Sequence, residues 1–181
     1  MTNKRIKVWD LPTRLFHWLL ALDIGAALVT GQIGGNLIDW HGRLGILAVG
    51  LVAFRLTWGL VGSTYARFSQ FLPSQEAIAA YLKGQWQGLG HNPLGALSVL
   101  ALLGLVTLQA ISGLFANDDI AFNGPLFNLV SKDISDRITG VHKLASNLLI
   151  LVVAGAAMYG ASGLWVPAPP PPPPAAETPA W

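Results

Sequence analysis

The stretch GVHKLASNLLILVVAGAAMYG, residues 140–160, decides how this chain is read. It is an apolar run of the length, about 20 residues, that a helix needs to cross the hydrocarbon of a bilayer. One imidazole, His142, sits near its start. An ionisable side chain inside a lipid-embedded helix is costly, so it is a functional candidate by default. The reading therefore turns on what the rest of the chain can bring to face it.

Three more runs of similar length lie upstream: residues 14–33 (RLFHWLLALDIGAALVTGQI), 40–61 (WHGRLGILAVGLVAFRLTWGLV) and 93–115 (PLGALSVLALLGLVTLQAISGLF). The last opens on a proline, which the first helical turn tolerates because that N–H has no partner anyway. The fourth span is taken over residues 135–162. With only 11% charged and 52% hydrophobic residues, the 181-residue chain falls far below the roughly 25% charge of a soluble domain. The 20 glycines and 7 tryptophans suit close helix packing and interfacial anchoring. The predicted fold class is an all-α membrane protein, a four-transmembrane-helix bundle with short surface helices and a C-terminal Pro-rich arm.

Composition also excludes chemistries. There are no cysteines, so a disulfide framework, a thiolate metal site and covalent c-type heme attachment are ruled out. A net charge of +2 with scattered basic residues gives no nucleic-acid surface. No nucleophile–base pair, catalytic carboxylate pair or phosphate-binding glycine loop is recognisable.

The predicted organisation is a cytoplasmic segment at 1–13, a membrane domain at 14–162 and a Pro-rich cytoplasmic tail at 163–181. The start is basic and runs into a span without a small-residue cleavage site, which reads as a retained N-terminus. Residues 74–87 (SQEAIAAYLKGQWQ), with Ser74 as N-cap, predict a short helix on the membrane surface. A short helical turn is expected after Gly124-Pro125. The unbroken prolines at 169–174 can only extend. Lys4, Arg5, Lys7 and Arg14 precede the first span, and Arg67 and Lys83 follow the second. The third loop carries Asp118, Asp119, Asp133 and Asp136. Basic loops stay inside, which places both termini in the cytoplasm of a bacterial inner membrane.

That topology puts His41, at the outer end of span two, at the depth of His142 in span four. Two neutral imidazoles on facing helices, with Gly42, Gly45, Gly140 and Ala145 alongside, can ligate a heme iron. The same placement also suits interfacial histidines that bond water, and for His17 and His91, each near a helix end, that is the simpler account.

Several ordered motifs then resemble a known family. These are Trp9-Asp10-Leu11-Pro12-Thr13-Arg14-Leu15-Phe16-His17-Trp18, Trp40-His41-Gly42 and Val52-Ala53-Phe54-Arg55-Leu56-Thr57-Trp58-Gly59. Gly90-His91-Asn92-Pro93-Leu94-Gly95 and His142 followed by Asn147 complete the set. Over residues 8–160 the chain resembles the bacterial cytochrome b561 and nickel–iron hydrogenase b-type cytochrome family. The resemblance implies a four-helix bundle holding two b hemes, with ligands from spans one, two and four. His41 and His142 match the outer heme's axial ligands, and His17 matches one ligand of the inner heme. The family's two span-four histidines are about 14 residues apart, roughly 21 Å of helix and nearly whole turns, so they share a face. Here the second would fall near Ala156, and no histidine follows His142. His91 suits a structural or partner-contact role.

Asp23, mid-membrane in span one, is the other departure. A buried ion pair between Asp23 and Arg55 where the inner heme would sit is the expected arrangement. The alternative leaves Asp23 facing water, distorted lipid or a neighbouring subunit, and Arg55 holding a heme propionate. The resulting expectation is a membrane electron carrier with heme b between His41 and His142, one heme rather than two. Its partners would be a c-type cytochrome or a quinone, within the membrane lipid. The alternative is an accessory subunit of a larger respiratory or photosynthetic membrane complex that keeps the fold. A third option, which some family members suggest, is superoxide oxidation coupled to quinone reduction.

Overall fold

The computed structural model describes residues 10–87, 92–120 and 122–161. His91, the Pro-rich tail, most of the N-terminal segment and the side chain at position 156 lie outside the described residues. Among the described residues six α-helices are formed: α1 (Leu11–Ile33), α2 (Ile38–Val61), α3 (Phe68–Phe71), α4 (Gln75–Leu82), α5 (Pro93–Phe115) and α6 (Lys132–Ala161). The four long ones are long and apolar enough to cross a membrane. Their large side chains, among them Leu15, Leu19, Leu22, Ile46, Leu60, Leu108, Leu144 and Leu151, face outward, as lipid requires.

The helices pair as two hairpins, α1 with α2 and α5 with α6, joined through α2 and α5. Val52, Val106 and Leu149 form the buried centre, with Leu20, Ile24, Leu28 and Leu105 packed against them. Hydroxyls within the spans find partners in their own helix. Thr30, Thr57, Ser98 and Thr107 each donate to the carbonyl four residues back. No side-chain hydroxyl of these is then left bare in hydrocarbon.

Boundaries differ from the expected ones for local reasons. Span one starts earlier because Asp10 caps it: Thr13 N–H donates to Asp10 Oδ1 at 2.9 Å. The second oxygen of Asp10 accepts Trp58 Nε1–H at 3.0 Å and Ser63 Oγ–H at 2.6 Å, clasping the start of α1 to the end of α2. Burial pushes the Asp10 carboxyl up, but the bonds from Ser63, Thr13 and Trp58 outweigh it and bring it down to about 2. The surface helix has its Ser74 cap but stops at Leu82, where Gly84 turns the chain with φ +69°. Asn92 caps α5 by accepting from Gly95 N–H at 2.6 Å. The turn after Pro125 is a 3-10 turn at Phe127–Leu129.

The loop between α5 and α6 folds back on the bundle. Gly124 N–H donates to Ala116 O and Leu126 N–H to Leu114 O, each at 2.8 Å. Gly124 lies so close to the backbone of Gly113 and Leu114 that no side chain fits there. Buried Asn117 ties the loop to α6, donating from Nδ2 to Ser135 Oγ and Asp136 Oδ1 and from its backbone to Thr139 Oγ1.

The expected Asp23–Arg55 pair does not form. Asp23 is buried at 4% exposure and neither carboxyl oxygen has a hydrogen-bond partner. Arg55 instead donates to Ala66 O at 3.2 Å, stacks over the Phe68 ring, and interacts electrostatically with Asp10. Asp10 and Asp23 are about 20 Å apart along α1 at 1.5 Å per residue, too far for one guanidinium to serve both. Ala66 in the turn after α2 and Asp10 at the start of α1, not Asp23, engage the arginine.

Candidate functional site

His41 and His142 come together. Their ring centres are 6.0 Å apart with planes at 83°, and both rings line one cavity of about 280 Å³. Its walls combine Ile24, Leu28 and Leu149 with Gly42, Gly45 and Phe122. Each ring is held by a different hairpin. His41 Nδ1 lies 2.8 Å from Ala27 O on α1. His142 Nδ1 lies 3.1 Å from Gln109 O on α5 and 3.1 Å from the Ser112 hydroxyl, which itself donates to Leu108 O. A carbonyl oxygen only accepts, so in both rings Nδ1 carries the proton and Nε2 keeps its lone pair.

Space for the rings is made by glycine. A methyl group at Gly31 would stand 2.8 Å from His41 Nδ1, and one at Gly113 3.0 Å from His142 Cε1. Phe122, carried by the folded-back loop, presses on Gly42, where a methyl would meet its ring at 2.7 Å. Loop and helix thus close the cavity beside His41.

The donor set fits a heme. Among the described residues no three His, Cys, Asp or Glu side chains converge on a metal position. Two nitrogens alone suit an iron that brings its own four equatorial ligands. An imidazole nitrogen sits about 2 Å from a bound metal, so two axial rings on one iron have centres on the order of 6 Å apart. The observed separation meets that figure, and perpendicular ring planes can share one axis. The Nδ1–H bonds to carbonyl oxygens fix the orientation of each ring and raise the basicity of its Nε2.

The other candidates are not at this site. His17 is exposed, with its ring edge against Trp18. It lies on the same stripe of α1 as the cavity-lining Ile24 and Gly31, but about 21 Å below Gly31 along the helix axis. Arg55 stands a similar distance along α2 from His41, at the Asp10 end. Two site residues escaped sequence reading, Gln109 and Ser112. A glutamine in the middle of an apolar span was the available signal, since such a side chain needs a partner there.

A family model described as prokaryotic cytochrome b561 matches residues 8–166. No curated protein and no solved structure matches the chain.

Proposed function

Because the chain belongs to the prokaryotic cytochrome b561 family, membrane b-type cytochromes of electron transport, we propose that it carries one b heme between His41 and His142. The observation that carries this reading is the pair of imidazoles 6.0 Å apart, each with Nδ1 bonded to a backbone carbonyl. Bound there, the heme supplies a one-electron couple. The chain's part is to hold each ring by its Nδ1–H and to line the site with apolar side chains and, at Asn117, Asp118, Lys143 and Asn147, polar ones.

One heme rather than two is supported by the donor inventory. His142 is the last histidine in the chain, and His17 stands without a second imidazole among the described residues. The basic N-terminal segment supports cytoplasmic termini in a bacterial inner membrane, which turns the His41–His142 end outward. Electron exchange then takes place near that face, with a c-type cytochrome or a quinone head group. A second reading, an accessory subunit of a larger respiratory or photosynthetic complex, is favoured by Asp23, a buried acid whose oxygens have no hydrogen-bond partner among the described residues.

Pyridine hemochrome analysis of the purified chain tests the assignment. One heme per chain is expected, with a six-coordinate low-spin spectrum that either His41→Ala or His142→Ala abolishes. The double variant should hold none. Two hemes in the wild type, or a low-spin spectrum surviving both substitutions, would sink it.

A further inference from the structure

The two histidines are not equivalent. Among the described residues His41 makes one hydrogen bond, through Nδ1 to Ala27 O, and its Nε2 lone pair is uncommitted. His142 is gripped at both nitrogens by one residue. Gln109 accepts Nδ1–H with its backbone oxygen, and its side-chain Nε2–H donates to His142 Nε2 at 3.1 Å. The amide oxygen of Gln109 is buried and has no partner, so the His142 contact is what satisfies this side chain within an apolar span. Ligation through His142 must break that bond and leave a buried carboxamide bare, whereas ligation through His41 breaks nothing.

We propose that the Gln109 carboxamide competes with iron for His142 Nε2, making His142 the exchangeable axial ligand and His41 the fixed one. This rests on the heme reading given above. Opening the site is a ligand exchange. With a heme held between the rings, His142 Nε2 would be contested between the iron and the Gln109 N–H, and its return to Gln109 would leave room for a small neutral ligand. No electron or proton is gained or lost. Gln109 is thus a positioning residue that decides whether the outer site can admit a diatomic ligand while Ala27 keeps His41 in place.

Carbon monoxide binding to the dithionite-reduced holoprotein reads this directly. The wild type should bind it, and Gln109→Met, similar in size but unable to donate, should bind it about ten-fold more slowly, the effect of one buried hydrogen bond. Equal rates, or a wild type that binds none, would overturn the proposal. A second comparison does not depend on how Gln109→Met folds. His142→Ala should retain heme as a five-coordinate high-spin species while His41→Ala loses it, and equal retention or the reverse order would also overturn the proposal. A wild type without heme would remove the heme reading itself, an outcome distinct from heme present with symmetric ligands.

Discussion

The two ends of the bundle use similar materials for opposite purposes. At the His41 end, glycines at 31, 42 and 113 leave room that ring edges fill, and the polar atoms point into a cavity. At the Asp10 end, Gly59 leaves room that the Phe68 ring fills, Arg55 lies over that ring, and Asp10 takes up Trp58 and Ser63. The first end keeps donors available. The second spends them on holding helices together. Aromatic rings on glycines do not by themselves mark a site; what marks it is a cavity-lining imidazole, His41, whose Nε2 has no hydrogen-bond partner among the described residues.

The sharpest way to break the contrast is to fill the ring spaces. Gly113→Leu should expel the His142 ring and abolish the six-coordinate low-spin spectrum while heme is retained, since an overpacked side chain must displace its neighbour. Gly104→Leu, on the same helix with nothing within 4 Å of the added carbon, should leave that spectrum unchanged. The corresponding change at the other end, Gly59→Ala, should keep the heme and lower thermal stability in mild detergent. Its expected size is about 1–3 kcal/mol, because Phe68 and then Arg55 must move.

Asp23 gives a change of opposite sign. Replacing a buried polar group that has no partner by a volume-matched apolar one removes a desolvation cost, so Asp23→Leu should stabilise by about 1–3 kcal/mol. A lower melting temperature would mean that Asp23 has a partner in the membrane. Asp10 carries the smallest effect. Asp10→Ala should cost about 1 kcal/mol at neutral pH through the lost cap. Because the folded carboxyl is depressed from 3.8 to about 2, its contribution is present above pH 3.8 and is lost as pH falls towards 2. Melting temperatures of wild type and variant should therefore converge over that window.

Much of this was legible in the sequence. Four apolar runs fix four spans because the bilayer sets their length, and spans two and four, running in the same direction with a histidine near the start of each, bring His41 and His142 to one depth. Charge pairing was not legible in the same way. Depth counted from assumed helix ends suggested Asp23 beside Arg55, but the arginine's partner Ala66 lies in a turn with no apolar period to read. The Asp10–Trp58 clasp was present in the motifs that carry the family resemblance, yet linear spacing cannot reveal a bond between residues 48 apart. Gln109 was passed over because a lone amide in a span has many ways to be satisfied. Only the packing of α5 on α6 shows which one is used.

The tethers of the two rings also bear on assembly. Ala27 and His41 belong to the α1–α2 hairpin, and Gln109, Ser112 and His142 belong to the α5–α6 hairpin. Each hairpin, once inserted, can orient its own imidazole before it meets the other, in keeping with helices that form first and associate afterwards in lipid. The site is then completed by docking two preset halves, and a metal held by both would act as a cross-brace between them.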